Sequence, residues 1–122
     1  MSIGLKQKKV YLDREHCFRT WLNCGSIGKT VKILYSEGVV NPKTGKAPTP
    51  MGVWGSAWLW VFDNMPEAKK LIAESWRANG ELLTDERWSI MVLKEARYLL
   101  SNRKYLEFLE RHSYLKPYLE NK

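Results

Sequence analysis

The stretch from Ser26 to Phe62 constrains the fold of this chain more than any other. Its first part has apolar residues at helical spacing and runs into Gly38, a residue type that commonly ends helices. A basic loop follows, in which prolines and a glycine exclude a helix. Thr49 and Pro50 then have the order of a helix cap and a first-turn proline, ahead of a segment rich in tryptophan. The stretch therefore predicts two helices joined by an enlarged basic turn.

Helical spacing of apolar residues recurs on both sides of this stretch, and no segment alternates over the length of a strand. Asp13, Ser26 and Thr84 are suited to cap helices, and Gly25 and Gly80 to end them. The fold class that we expect is all-α. The expected buried faces are Phe18, Trp21 and Leu22; Ile27, Val31 and Leu34; Trp54, Ala57, Trp58 and Val61; Ala68, Leu71, Ile72 and Trp76; and Trp88, Met91, Val92, Ala96 and Leu99. A last helix after Ser101 and Asn102 carries Tyr105, Leu106, Phe108 and Leu109.

A chain of 122 residues is the size of a single domain, so residues 1–122 are expected to form one. Within it, residues 13–64 form a helix-turn-helix-like unit of three helices, and residues 66–119 supply the C-terminal helices. Met1 to Leu12 is interpreted as a basic arm that follows a phosphate backbone or a minor groove, or as a frayed terminus. We expect Pro117 to end the last helical segment.

The excess of positive charge lies in the half that holds the proposed DNA-binding unit. Residues 1–62 contain nine Lys and Arg against three acidic residues, a net charge of +6, whereas residues 63–122 contain eleven against ten, a net charge of +1. A basic surface of this kind attracts phosphates, although a solvated basic surface with no partner has the same composition.

Membrane, secretory and metal-binding classes have little support in the sequence. No apolar run approaches the roughly 20 residues that cross a bilayer, and the basic N-terminus precedes no apolar run, so no membrane contact and a cytoplasmic location are expected. Cys17 and Cys24 lie seven residues apart, too far on one helix for a disulfide, and are interpreted as buried free thiols. The cysteines and histidines have no recognised zinc spacing.

No arrangement of residues points to catalysis, and no cofactor is expected. The segment from Gly25 to Thr30 ends like a phosphate-binding P-loop but lacks the first glycine and the preceding strand, so Lys29 and Thr30 are interpreted as an exposed helix face. His16 and His112 lie in charged surroundings without a catalytic partner.

The six tryptophans are interpreted mainly as core residues, because five of them fall on the apolar stripes of their own helices. Trp60 lies off the main stripe, and we expect it to face a partner. The glycines of the tryptophan-rich helix, Gly52 and Gly55, are interpreted as sites of close packing, either against a neighbouring helix or against a groove wall.

From Ser26 to Asn64 the order of features resembles the DNA-binding region of large serine recombinases. The features that carry the resemblance are Glu37-Gly38-Val39, Thr49-Pro50, Gly52-Val53-Trp54, Ser56 and Asn64. The likeness covers about a third of the chain and includes no catalytic domain. It therefore implies DNA binding without strand exchange. Small phage DNA-binding proteins have a similar arrangement of an N-terminal helix-turn-helix and C-terminal helices that oligomerise.

The function predicted from the sequence is double-stranded DNA binding, sequence-specific or architectural, without enzymatic activity and in a protein of phage or mobile-element type. The first alternative is a protein-interaction adaptor or inhibitor that uses Tyr98, Tyr105, Tyr114 and Tyr118, and the second is a homo-oligomer that shares DNA between subunits. The residues predicted to contact phosphates are Arg19, Lys29, Lys32, Lys43 and Lys46, and those predicted to lie nearest the bases are Thr49, Met51 and Ser56.

Overall fold

A computed structural model describes residues 11–120, and the secondary structure of this range is entirely helical. The all-α prediction is confirmed. The basic arm lies outside the described residues apart from Tyr11 and Leu12. Among residues 11–120 no helix combines the length and the apolar character that a bilayer crossing requires. The helices are α1 (Arg14–Cys24), α2 (Ile27–Ser36), α3 (Pro50–Asp63), α4 (Met65–Ala78), α5 (Asp85–Leu99), α6 (Asn102–Arg111) and a C-terminal 3-10 helix (Ser113–Glu120).

The predicted helix starts are confirmed by side chains that accept hydrogen bonds from the unpaired N–H groups of the first turn. A carboxylate oxygen of Asp13 accepts from the His16 N–H at 2.9 Å, and the Ser26 hydroxyl accepts from the Lys29 N–H at 3.2 Å. The same bond starts three further helices. The Oγ1 atom of Thr49 accepts from the Gly52 N–H at 3.0 Å, that of Thr84 from the Arg87 N–H at 3.1 Å, and the Ser101 Oγ from the Lys104 N–H at 3.3 Å.

The end of α2 is fixed by Gly38, whose φ of 90° is a left-handed conformation that glycine adopts without steric cost. The Gly38 N–H donates to the Tyr35 carbonyl at 3.0 Å, and the Val39 N–H donates to the Leu34 carbonyl at 3.0 Å. This pair of bonds satisfies two carbonyls at the helix end. It also turns the chain directly into the basic loop.

The chain divides into two compact units, Met1–Val61 and Phe62–Lys122. The first unit contains α1, α2 and α3 up to Val61, and the second contains the end of α3, then α4, α5, α6 and the 3-10 helix. This division falls close to the predicted boundary at residues 64–66. That the whole chain forms one domain stays a prediction.

The core of the first unit is built from aromatic rings of α1 and α3. Phe18 is fully buried and stacks on Trp60, with ring centroids 4.8 Å apart and planes at 26°. Trp21 meets Trp54 edge to face at 5.5 Å and lies 6.4 Å from the fully buried Trp58. The expectation that Trp60 faces a partner is therefore wrong. Its side of α3 is covered by α1, because α3 packs with buried residues on most of its circumference.

Three further residues of the first unit differ from expectation in how deeply they are buried. Thr30 was expected on an exposed face but is fully buried, because its hydroxyl donates to the Ser26 carbonyl at 2.7 Å and also lies 3.1 Å from the Cys24 Sγ. A threonine hydroxyl that donates to a carbonyl of its own helix has a hydrogen-bond partner without water, so the side chain can be buried. Trp21 and Leu22, expected in the core, are only half-buried.

The two cysteines differ in environment, and their chemistry should differ with it. Cys17 is 1% exposed, and burial, together with the nearby charge of Asp13, raises the pKa of its thiol to about 11, so that roughly a thousandth of it is thiolate at pH 8. Cys24 is half-buried. We expect a thiol reagent at pH 8 to modify Cys24 first, and Cys17 only when the chain unfolds. Mass spectrometry of the chain with and without denaturant checks this, with Cys24→Ser as the control that should remove the fast site.

The second unit has its own apolar core, to which α4, α5, α6 and the 3-10 helix all contribute. Phe108 of α6 is fully buried and meets Phe62 edge to face at 5.3 Å. Leu115 of the 3-10 helix is also fully buried. The other buried apolar residues of this unit are Met65, Ala68, Ile72, Leu83, Trp88, Val92, Leu93, Ala96, Tyr105 and Leu109.

Two residues of the second unit have environments that their residue types do not indicate. Leu106 is apolar, yet it is 61% exposed, because Tyr105, Phe108 and Leu109 already form the buried side of α6. Pro117 was predicted to end the last helical segment, yet it lies inside the 3-10 helix. A short 3-10 segment tolerates proline because it lacks the i to i−4 bonds that proline would break.

Candidate nucleic-acid interface

The side of α2 that faces away from its buried residues is an open helix surface of the first unit. Thr30 and Leu34 are buried on one side of α2, and Ile27 and Val31 flank them half-buried. The exposed residues of the opposite side lie at positions that a helix brings together over successive turns. They are Gly28, Lys29, Lys32, Ile33, Tyr35 and Ser36.

Lys29 and Lys32 give this side of α2 its charge. They lie three residues apart, one turn from each other on the helix surface. Both are exposed, and neither forms an ion pair with another described residue. Glu37, the acidic residue nearest to this surface in sequence, is bonded to His16 with Oε1 and Nε2 2.7 Å apart.

The loop after α2 is compact, as its turn residues predict, and it holds Lys43 and Lys46 in the solvent. The Asn41 carbonyl accepts from the Gly45 N–H at 2.7 Å, and the Asn41 N–H donates to the Lys46 carbonyl at 2.8 Å. The Asn41 side chain accepts from the Lys43 N–H at 2.9 Å, and the Thr44 hydroxyl accepts from the Lys46 N–H at 3.2 Å. Because these bonds fix the backbone, the two lysines extend from an ordered support. Neither forms an ion pair among the described residues.

The residues predicted to lie nearest the bases differ in their accessibility. Met51 is 58% exposed and Thr49 is exposed, although the Thr49 hydroxyl already caps α3. Ser56 is half-buried. Every residue from Gly52 to Phe62 is buried or half-buried, so only the first turn of α3 is open to a large partner.

Arg19, the fifth residue predicted to contact phosphate, already has two interactions within the first unit. Its Nε donates to a Glu15 carboxylate oxygen at 2.8 Å, and its guanidinium carbon lies 5.8 Å from the ring centroid of Trp60. A phosphate would have to compete with a carboxylate for this guanidinium. For the four lysines, no carboxylate among the described residues would compete with a phosphate.

The close approach predicted at Gly52 is one of packing within the first unit. A Cβ at this position would lie 3.1 Å from the Thr49 hydroxyl oxygen and 3.5 Å from a methyl carbon of Leu12. Glycine is therefore suited to the point where the start of α3 meets its own cap and the residue just before α1.

The four tyrosines of the alternative interaction surface do not share one environment. Tyr98 is 65% and Tyr114 55% exposed, whereas Tyr105 is 8% exposed and Tyr118 is half-buried. The Tyr114 hydroxyl lies 3.2 Å from His112 Nδ1, and partial burial, with the charge of Arg111, lowers the pKa of His112. Among residues 11–120 no three His, Cys, Asp or Glu residues cluster in a way that could hold a metal ion.

The sequence predicts that the lysines contact phosphate and that α3 contacts the bases, and it does not single out the exposed side of α2. The sequence does contain a signal, since on the side of this helix that has Gly28, Lys29, Lys32 and Ser36 the large residues are Ile33 and Tyr35 alone. The sequence favours α3 as the helix that contacts DNA, because its proline marks a clear helix start.

Comparison with protein-family models, curated proteins and solved structures found no match for this chain. The resemblance to serine recombinases, and the phage or mobile-element origin that accompanies it, stay predictions from the residues that carry them.

Proposed function

We propose that the first unit binds double-stranded DNA through a lysine surface made of Lys29, Lys32, Lys43 and Lys46. The observation that carries the proposal is that all four are exposed and free of carboxylate partners among the described residues. Binding of a lysine to a phosphate displaces condensed counterions from DNA, and this release favours association at low salt. Lysines already paired with carboxylates would gain less.

The helix best suited to lie against the duplex is α2. It follows α1 through a turn at Gly25, whose φ is 79°, and Ser26, and this order of helix, short glycine turn and helix is that of a helix-turn-helix. The exposed side of α2 has small residues at Gly28 and Ser36, and its larger side chains, Ile33 and Tyr35, are 37% and 51% exposed. The wide apolar packing of α3 gives it the role of support, with its first turn at the margin of the contact.

The proposed contacts are of two kinds: contacts with phosphates, which position the protein, and contacts with base edges, which depend on the DNA sequence. Lys29, Lys32, Lys43 and Lys46 hold the phosphate backbone and set position and orientation. Base edges lie within reach of side chains on the exposed side of α2 and of Met51 on the first turn of α3. The affinity is therefore dominated by charge, and sequence preference is a smaller addition. A cytoplasmic location belongs to the same proposal, since a DNA-binding protein needs access to DNA.

The proposal is tested by fluorescence anisotropy of a labelled random duplex, titrated with the whole chain at 50 and 200 mM salt. Four phosphate contacts predict a slope of log Kd against log salt of roughly 3.6, a loss of affinity of about 150-fold over this range. A duplex with a neutral backbone, a peptide nucleic acid of the same sequence, is the control and should not bind. Absence of binding to the DNA duplex at 50 mM salt would leave the adaptor hypothesis, which pull-down of a protein partner then addresses.

A further inference from the structure

The second unit contains a half-open cavity of about 550 Å³ along one side of α5. Five residues of α5 line it at positions that share a helix face: Ile90, Leu93, Lys94, Arg97 and Tyr98. Tyr105 of α6 and Tyr118 and Leu119 of the 3-10 helix complete the lining. This volume is within the range of pockets that hold small organic molecules.

The lining combines an apolar interior with positive charge at the surface. Leu93 and Tyr105 are nearly buried, at 7% and 8% exposed, and form its interior. Lys94 and Arg97 are exposed, and the guanidinium carbon of Arg97 lies 5.7 Å from the ring centroid of Tyr105. No acidic residue is among the described residues that line the cavity. A neutral apolar molecule would contact only the apolar interior, whereas an apolar molecule with an anionic group would also contact the positive charges at the surface.

We propose that this cavity binds a small amphipathic organic anion, with its apolar part against Leu93 and Tyr105 and its anionic group between Lys94 and Arg97. Two cations close together lower the free energy of a carboxylate or sulfonate held near them. Tyrosines supply large contact area at low conformational cost, and their hydroxyls give hydrogen-bond donors where the cavity meets water. The proposal concerns the second unit and is independent of DNA binding by the first.

Octanoate and 1-octanol are matched probes, because they share an alkyl chain and differ in charge. In titrations followed by backbone amide NMR, octanoate should shift signals of residues 90–98, Tyr105, Tyr118 and Leu119, and bind about tenfold more tightly than 1-octanol. The double variant Lys94→Gln/Arg97→Gln should lower octanoate affinity to that of 1-octanol. Arg97→Lys, which keeps the charge, should retain most of the preference.

Leu93→Trp fills the cavity and should abolish binding of both probes while the remaining amide signals keep their dispersion. If that variant fails to fold, the charge variants still decide the question, because their substitutions are at exposed positions. Equal affinity for octanoate and 1-octanol in the unmodified chain would overturn the proposal. So would shifts that spread over both units, or an unchanged octanoate affinity in Lys94→Gln/Arg97→Gln.

Discussion

Replacing Phe18 with alanine should destabilise the first unit by about 3–5 kcal/mol, which is at the upper end of the effects expected of single substitutions. Phe18 is fully buried, stacks on Trp60 at 4.8 Å and meets Trp21 edge to face at 6.0 Å. The variant loses the transfer free energy of the ring, leaves a cavity and removes two aromatic contacts. Since whole domains are commonly stable by only about 5–15 kcal/mol, a large part of the stability of this unit depends on one ring.

Urea denaturation followed by tryptophan fluorescence and near-ultraviolet circular dichroism measures the effect. Phe18→Leu keeps most of the volume and should cost less, about 1–1.5 kcal/mol, so it provides a folded variant if the alanine variant does not fold. Tyr35→Ala is the matched control, because Tyr35 is an aromatic residue of the same unit but is 51% exposed. Its effect should stay within about 0.5 kcal/mol. Equal effects of Phe18→Ala and Tyr35→Ala would contradict the packing described for α1 and α3.

The features of the fold that the sequence predicted well depend on local chemistry. A hydroxyl or carboxylate that accepts from an N–H three residues later, as at Asp13, Ser26 and Thr84, depends on residues close in the chain. So does the left-handed glycine after α2. These starts and ends could be predicted because no distant contact competes with them.

Burial was harder to predict, because it depends on which helix covers which side. Trp60 lies off the stripe that spacing alone assigns to α3, yet Phe18 of α1 covers it. Thr30 is polar, yet it is buried because it bonds to the Ser26 carbonyl on its own helix. Leu106 is apolar, yet it is exposed, since three neighbours on α6 already fill the available core. In each case the surroundings of the side chain decide its burial: a ring from another helix for Trp60, a local hydrogen bond for Thr30, and a core already filled by neighbours for Leu106.

The difference between local chemistry and packing between helices also decides how much of the candidate site could be predicted. Charge and turn chemistry identified the four lysines and the loop that presents two of them, because both properties are local. The enclosure of α3 follows from the packing of aromatic rings between α1 and α3, which cannot be predicted from the spacing of residues along a single helix. The hypothesis of DNA contact thus moves from the length of α3 to the exposed side of α2.

Removing the lysines in pairs should separate a DNA-binding surface from a general effect of net charge. Lys29→Gln/Lys32→Gln on α2 and Lys43→Gln/Lys46→Gln on the loop should each weaken duplex binding by roughly 10- to 100-fold at low salt. Each pair should also lower the slope of log Kd against log salt by about 1.8, because each lysine that contacts a phosphate contributes about 0.9. The loss should be similar for all duplex sequences, since phosphates carry no base information.

The matched control is Lys70→Gln/Lys104→Gln, which removes the same charge from two exposed lysines of the second unit. Its affinity should fall by less than about threefold, because a lysine that does not belong to the proposed surface contributes only screened long-range attraction. If α2 and the loop contact the same duplex at separate phosphates, the four-lysine variant should show the sum of the two free-energy losses. An equal loss in the control would mean that net charge alone attracts DNA. An unchanged affinity in either lysine pair would remove α2 or the loop from the interface.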